Sequence, residues 1–292
     1  MKKLLLLLLL FTNTAFANKF IMYVPHSGGI ADFAARVLAN TEGNTLVINY
    51  PATVGSRAVP SAFERKQILF AGSSYMVLND ILYPEYIHFN IKDSFESIVL
   101  GKVPNVVVIH SSIPAKNIAE FVSYALTAKD LRYGITTAAS NVSALEFMKL
   151  TGIKARGIPY KSGEQLSVGV FSNEIQFRVG NLTSVIGLLE NNKIRAIGIT
   201  TEKRYKDYPE IPTIREQTGQ NLTALLYYGI NFPKGMKSND VKYWKKLINT
   251  LNTNQKYIEE TKKIGAAVDI IQGTKYDEWY KQQRKLYVDF TK

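Results

Sequence analysis

Polar residues and glycines cluster at two places where an apolar, strand-like segment gives way to a helical pattern. The first N–H groups of a helix have no partner inside the helix and carry the partial positive charge of its dipole. Such a helix start is a binding site for a carboxylate or phosphate group. The first cluster consists of His26, Ser27, Gly28, Gly29 and Asp32. The second cluster contains Thr136, Thr137, Ser140, Asn141 and Ser143.

In the first cluster the glycines lie at the entrance of the predicted helix. Without a side chain, Gly28 and Gly29 let the backbone approach a ligand closely. Asp32, in the first turn, either favours the helix dipole or binds a ligand amine. Hydroxyls and amides of the second cluster are also ordinary helix caps. Two such entrances facing each other across a cleft would hold a small acid at its opposite ends.

Catalytic motifs are absent from the sequence. It has no G-x-S-x-G elbow, no phosphate-binding G-x-x-x-x-G-K-[ST] loop and no G-x-G-x-x-G after a strand. Its three histidines, His26, His88 and His110, are not spaced as a metal-binding pair, and there is no cysteine. We therefore predict no catalytic residue, no metal and no cofactor. The alternative, an exported enzyme acting on an anionic substrate, needs a nucleophile–base pair that the sequence does not show.

Alternating strands and helices must position these clusters. Apolar segments predict strands at residues 20–24, 45–49, 67–70, 106–110, 132–136, 175–179, 195–200 and 225–231. Helical patterns lie between them at residues 31–40, 115–128, 143–150, 164–170 and 183–191. This alternation predicts an α/β fold with largely parallel sheets.

Two apolar segments, at residues 106–110 and 227–232, are each followed by a proline within a few residues, Pro114 or Pro233. We take them as the crossings between two lobes. The predicted division is residues 18–108 with 229–292 for the first lobe and residues 109–228 for the second.

The start of the chain predicts export. Lys2 and Lys3 precede an unbroken leucine run at residues 4–10 and a small-residue cleavage site that ends at Ala17. This pattern is a secretory signal peptide over residues 1–17, with a periplasmic mature protein that begins near Asn18. The formal charge of +12 favours anions in general. No nucleic-acid motif is present, so we predict no nucleic-acid partner.

The order of several segments resembles the substrate-binding receptors of tripartite tricarboxylate transporters, the Bug family. Val24, Pro25, Gly28, Gly29 and Asp32 match the family's V-P-x-x-x-G-G-x-x-D pattern. Further matches are NYPATVGSRAV, VVVIHSSIPAKNIAEFV, LRYGITTAAS, IPYKSG, IRAIGITTEKR, YPEIPTIREQTG and FPKG. Each motif is short, but their number and fixed order span nearly all of the mature chain.

The resemblance implies a two-lobed, type II periplasmic binding protein in which each lobe is a mixed sheet flanked by helices. A small organic acid would bind in the cleft between the lobes and be delivered to membrane permease subunits, by a receptor that we expect to be a monomer. The family's binding loops correspond here to His26, Ser27, Gly28 and Gly29 with Asp32, and to Thr136, Thr137, Ala138, Ala139, Ser140 and Asn141. Two further segments are expected to face the cleft, Ser73 with Ser74 and Gly180 with Asn181.

The sequence departs from the family pattern at several of these positions. Thr137, Ala138 and Ala139 stand where glycines are usual, Ser143 stands at the position of a histidine, and Thr53 replaces a glycine. Side chains at former glycine positions narrow a backbone cradle, so the identity of the ligand stays open. A second alternative, a receptor that signals to a sensor kinase instead of feeding a permease, also stays open.

Overall fold

The computed structural model describes residues 19–25, 29–50, 56–78, 91–161, 163–189, 193–222 and 225–291. The predicted signal peptide and Thr53 lie outside these residues. The strands are β1 (Phe20–Val24), β2 (Thr45–Asn49), β3 (Ile68–Gly72), β4 (Phe95–Val103), β5 (Asn105–His110), β6 (Arg132–Ile135), β7 (Arg156–Pro159), β8 (Phe177–Asn181), β9 (Ile194–Ile199), β10 (Leu226–Pro233) and β11 (Ala267–Ile271).

Helices separate most of these strands along the chain. They are α1 (Ile30–Glu42), α2 (Ala58–Arg65), α3 (Ser73–Val77), α4 (Ile91–Ser94), α5 (Ile118–Thr127), α6 (Ala138–Thr151), α7 (Gly163–Phe171), α8 (Ile186–Leu189), α9 (Ile214–Thr218), α10 (Ser238–Ile248), α11 (Gln255–Lys263) and α12 (Thr274–Thr291). A 3-10 turn at Leu182–Ser184 precedes α8. Within the described residues, no helix is both long enough and apolar enough to cross a membrane.

The strands form two mixed sheets, which gives the two-lobed α/β architecture. The six-stranded sheet has the order β11-β4-β10-β3-β1-β2, in which β2, β1 and β3 are parallel and the other pairs are antiparallel. The five-stranded sheet has the order β7-β6-β8-β5-β9, in which β7, β6 and β8 are parallel. Parallel strands end at the same edge of a sheet, so the helix that follows each of them begins there.

The chain crosses from one sheet to the other at two points. Pro104 separates β4, which pairs in the six-stranded sheet, from β5, all of whose residues pair in the five-stranded sheet. The predicted boundary after residue 108 therefore falls inside β5. The return precedes β10, which pairs wholly in the six-stranded sheet, so the boundary after residue 228 likewise falls inside a strand. Pro104 lies between β4 and β5 and has no N–H group to donate to either ladder.

Three strands and two helix starts differ from the sequence prediction. Strands β4, β7 and β11 carry polar or glycine residues that obscure the apolar pattern. The helix predicted at residues 143–150 begins five positions earlier, at Ala138, because a capping box starts it. The helix predicted at residues 183–191 is a 3-10 turn followed by the short helix α8.

Apolar contacts join the two lobes beside the crossings. In one buried cluster, Ala139 and Val142 of α6 lie with Met76 of α3 and Tyr287 of α12. A hydrogen bond also joins the lobes, since the Thr183 hydroxyl of the second lobe donates to the carbonyl oxygen of Ile264 in the first lobe. The C-terminal helix α12 therefore belongs to the first lobe by its chain position and packs against the second lobe through α6.

Candidate functional site

The start of α1 is open. Its N-cap residue, Gly29, has extended backbone angles, φ −106° and ψ 174°, and makes no side-chain cap. A Cβ atom built on Gly29 meets no atom of the described residues within 4 Å. Among the described residues, neither backbone conformation nor packing therefore requires glycine at this position, and the first N–H groups of α1 receive no side-chain cap from Gly29. His26, Ser27 and Gly28, predicted to complete this loop, lie outside the described residues.

Asp32 lies in the first turn of α1, and its buried carboxylate is already engaged. Its Oδ1 atom lies 2.9 Å from Arg36 Nε and accepts a hydrogen bond of 3.0 Å from Asn49 Nδ2 at the end of β2. These contacts fix the first turn of α1 to the edge of the sheet. The structure thus gives this aspartate a positioning role, and the predicted contact with a ligand stays a prediction.

The start of α3 is placed beside α12. Ser73 is fully buried, and its hydroxyl lies 3.1 Å from the Tyr287 hydroxyl and 3.4 Å from the backbone nitrogen of Tyr227. Ser74 is also buried. The Ser73 hydroxyl thus ties β10 and α12 together, and its predicted contact with a ligand stays untested.

The start of α6 is a capping box built from the second predicted cluster. Thr137 Oγ1 accepts a hydrogen bond of 3.1 Å from the Ser140 amide, and Ser140 Oγ accepts one of 3.0 Å from the Thr137 amide. Asn141 is held by the Tyr133 hydroxyl, which donates to its Oδ1 atom over 2.8 Å. The polar side chains therefore fix the loop. The backbone amides of Ala138 and Ala139, at the first two helical positions, have no acceptor inside the helix.

Ser143, which stands at the position of a family histidine, links α6 to the lobe crossing. Its hydroxyl donates to the carbonyl oxygen of Ala139 over 3.0 Å and accepts from Asn105 Nδ2 over 2.9 Å. The backbone N–H of Asn105 in turn donates to Thr200 Oγ1 over 2.9 Å. The start of α6 is thus hydrogen-bonded to the residue that follows Pro104.

The end of β8 brings Gly180 and Asn181 to the same edge of the sheet as α6. Asn181 caps the following 3-10 turn, because its Oδ1 atom accepts a hydrogen bond of 2.9 Å from the Ser184 amide. Gly180 pairs with Val106 of β5 and lies against the guanidinium group of Arg178. Of the predicted residues in the second lobe, Thr136, Thr137, Ala138, Ser140, Asn141, Gly180 and Asn181 therefore lie at one sheet edge.

Arg178 is the residue that sequence reasoning missed. It is 3 % exposed, and burial lowers the pKa of its guanidinium group to about 10, so the side chain stays charged at neutral pH. Its Nη2 atom donates to Ser184 Oγ over 2.7 Å. The available signal was an arginine in the middle of an otherwise apolar strand, QFRVG, with a glycine two residues later on the same face.

No enzymatic constellation stands out in the described part of the chain. Across the described residues, no three His, Asp or Glu side chains lie close enough together to hold a metal ion. His110 Nδ1 lies 2.7 Å from Ser112 Oγ, a local contact at the end of β5. The geometry of this edge fits the binding of an anion through amides and one guanidinium group.

Comparison with known proteins agrees with this architecture. The model of the tripartite tricarboxylate transporter family receptor matches residues 51–285. Protein BugT of Bordetella pertussis is 24 % identical over 230 residues, which cover 73 % of this chain and 70 % of that protein. A UPF0065 protein of Pseudomonas sp. (strain P51) is 22 % identical over 251 residues, which cover 82 % of this chain and 74 % of that protein.

Solved structures share the fold at low sequence identity. The R. palustris protein Rpa4515 with adipate superposes with a TM-score of 0.81 at 20 % identity, covering 93 % of this chain and 95 % of that one. MatC from Rhodopseudomonas palustris with bound malate gives a TM-score of 0.75 at 17 % identity, covering 94 % and 98 %. The periplasmic binding protein BugD gives 0.78 at 21 % identity, covering 92 % and 95 %. Because the family model spans most of the sequence, the chain belongs to the tripartite tricarboxylate transporter family of receptors.

Proposed function

We propose that the protein is a periplasmic receptor that captures a small organic acid between its two lobes and delivers it to the permease subunits of a tripartite tricarboxylate transporter. The observation that carries this proposal is the start of α1 at Gly29, where no side chain of the described residues caps the helix and a Cβ atom would meet none of their atoms within 4 Å. Family membership supports the receptor role. The protein is proposed to act as a monomer without catalysis.

The proposed mechanism uses one helix start from each lobe. The amides at the start of α1 and those of Ala138 and Ala139 at the start of α6 would bind carboxylate oxygens. An acid that touches both lobes stabilises the conformation in which they contact each other, so binding favours closure. This proposal includes the predicted ligand contacts of His26, Ser27, Gly28, Asp32, Ser73, Ser74, Asn141, Gly180 and Asn181.

The first test is a thermal-shift and calorimetric screen. Adipate and malate, which are bound in the neighbours named above, are the first probes, followed by other mono-, di- and tricarboxylates, amino acids and aromatic acids. A ligand at 100 times its Kd stabilises the folded state by about 2.7 kcal/mol, which raises the melting temperature. If only neutral compounds raised it, the proposed anion site would be wrong.

A substitution at Gly29 tests the site itself. Its extended backbone suits a β-branched residue, and the surrounding space is open, so Gly29→Val should leave the urea midpoint unchanged. The valine side chain would occupy the space of the ligand, and we expect at least about tenfold weaker binding. Gly29→Ala adds a smaller side chain and should reduce the affinity for the ligand by less than Gly29→Val does. Unchanged affinity in the valine variant would remove α1 from the binding site.

Export is tested separately. Expression of the full chain should give a periplasmic protein whose N-terminal residue, read by mass spectrometry, is Asn18. Full-length protein retained in the cytoplasm would contradict the proposed signal peptide.

A further inference from the structure

Arg178 points along its own strand toward the edge where α6 begins. In the antiparallel ladder it lies opposite Val108, which places its side chain on the face covered by Leu166 and Val170 of α7. A Cβ atom built on Gly180 would lie 2.5 Å from Arg178 Nη2. The guanidinium group therefore lies over Gly180, at the carboxyl end of β8.

This cation is buried, and no described residue supplies a counter-charge to it. Nε and Nη1 of Arg178 have no hydrogen-bond partner, and no ion pair is formed by this side chain with any described residue. Within the described part of the chain, its hydrogen bond goes to the neutral hydroxyl of Ser184. Buried charges in proteins are ordinarily paired, because removing an ion from water without compensation is costly.

The surroundings add positive charge. The nine-residue helix α7 begins at Gly163, and a Cβ atom built there would lie 4.0 Å from Ser184 Cβ. The positive end of the α7 dipole is therefore close to the hydroxyl that the guanidinium group contacts. Two positive groups meet at this edge, and burial alone accounts for the shifted Arg178 pKa, with no carboxylate among its causes.

The same edge holds the start of α6. Strands β6 and β8 are parallel neighbours, in register at Tyr133 and Phe177, so Thr136 follows β6 about level with Gly180. Neighbouring strands lie about 4.8 Å apart. The start of α6 and the guanidinium group over Gly180 therefore lie at the same end of two neighbouring strands, with α6 packed on the face of Phe177 and Val179 and Arg178 on the other face.

We propose that Arg178 binds the second carboxylate of a dicarboxylate ligand, whose first carboxylate lies at the helix starts of α1 and α6. This inference rests on the proposed function and narrows its ligand to acids with two carboxylates. The planar guanidinium group presents parallel N–H donors that match both oxygens of a carboxylate. The ligand would supply the counter-charge that no described residue provides at this position.

The test compares acids that differ by one carboxylate. Succinate, glutarate and adipate are each titrated beside the monocarboxylate with the same number of carbons, using the purified mature protein. The wild type should bind at least one dicarboxylate about 30-fold or more tightly than the monocarboxylate with the same number of carbons. In Arg178→Met this preference should disappear, while affinity for the monocarboxylate stays within about threefold. Methionine fills similar space and removes the buried charge, so the variant should be at least as stable as the wild type.

Two further variants keep the result interpretable. Arg195→Met is the matched control, because Arg195 lies in β9 of the same sheet and donates to the carbonyl oxygens of Ile113 and Ala115; it should keep the preference. Gly180→Ala keeps the charge but displaces the guanidinium group, since its Cβ atom would lie 2.5 Å from Nη2, and should reduce the preference. If Arg178→Met does not fold, the dicarboxylate preference of Gly180→Ala tests the role of Arg178.

The outcomes separate the two proposals. A dicarboxylate preference that survives in Arg178→Met, or in a folded Gly180→Ala when the first variant fails, overturns the role of Arg178. Tight binding of monocarboxylates without any dicarboxylate preference in the wild type also overturns it, while the receptor function stands. A wild type that binds no organic acid at all contradicts the proposed function instead.

Discussion

At the scale of single residues, Asp32 holds the first turn of α1 against the end of β2. Its buried carboxylate contacts Arg36 four residues later and the side-chain amide of Asn49. An aspartate in the first turn also interacts favourably with the helix dipole. The side chain therefore orients the open helix start whose N–H groups are proposed to bind the ligand.

Asp32→Ala should lower the free energy of unfolding by about 1–3 kcal/mol, because Asn49 and Arg36 lose a charged, buried acceptor. Urea denaturation measures this difference. Asp130→Ala is the control: its carboxylate is exposed and lies 3.5 Å from Arg132 and Arg156, so its loss should change stability by less than about 0.5 kcal/mol. Equal effects of the two substitutions would contradict the positioning role.

At the scale of elements, α6 depends on its capping box. Thr137 and Ser140 exchange two hydrogen bonds at the helix start, which leaves the Ala138 and Ala139 amides without an acceptor inside the helix. Helix α5 begins with a simpler cap, in which Asn117 Oδ1 accepts a hydrogen bond of 2.9 Å from the Glu120 amide. The chain thus offers two helices of the same lobe with comparable caps, of which α6 alone starts at the proposed site.

Thr137→Ala and Asn117→Ala should each cost about 1 kcal/mol of stability, the usual effect of removing an N-cap side chain. Only Thr137→Ala should also weaken binding of the acid found in the screen, because it loosens the backbone of the proposed site. Calorimetric titration of both variants makes the comparison. If binding fell equally in both, the effect would follow stability and not the α6 loop.

At the scale of the whole molecule, buried tyrosines link the lobes and the packed helices. Tyr228, Tyr257, Tyr276 and Tyr287 are buried, and burial raises the pKa of each phenol. For Tyr287, which joins α12 to α3 beside the residues of α6, the pKa is raised to about 12. The folded protein therefore keeps these phenols neutral at a pH at which an unfolded chain ionises them.

The free energy of unfolding should fall as the pH rises above about 10. Between an unfolded pKa of about 10 and the raised folded value, the unfolded state binds fewer protons than the folded state, so stability decreases with pH by up to about 1.4 kcal/mol per pH unit for each such tyrosine. The stabilising contribution is fully present below about pH 10 and is lost above it. Urea denaturation at about pH 8 and about pH 11 measures the change.

Tyr287→Phe supplies the control for this prediction. The substitution keeps the ring in the cluster with Ala139 and Val142 but removes one ionisable group and its contact with Ser73. The variant should lose about 1 kcal/mol at neutral pH and show a shallower decline at alkaline pH. An unchanged slope would mean that Tyr287 does not contribute to alkaline unfolding.

Local patterns in the sequence determined the class of fold, the two strand-to-helix junctions and the family. Strands at residues 20–24 and 45–49 and the helix entrance at Gly29 follow from apolar periodicity and from glycine placement, which are properties of neighbouring residues. Family motifs in fixed order identified the receptor architecture because they extend over the chain. Strands β4, β7 and β11 lacked such a local signal, since what stabilises them is pairing with distant strands.

Tertiary structure decided which groups at the site remain available. Hydrogen bonds between residues far apart in the chain occupy Asp32, Ser73 and Ser143, whose types alone had suggested ligand contacts or departures from the family. The same folding buried Arg178 over Gly180, with no carboxylate partner among the residues that the structure describes. Burial and pairing depend on which distant segments are packed against a residue. The sequence therefore located the strand-to-helix junctions, but only the folded structure distinguished side chains that are hydrogen-bonded within the protein from groups that are proposed to contact the ligand.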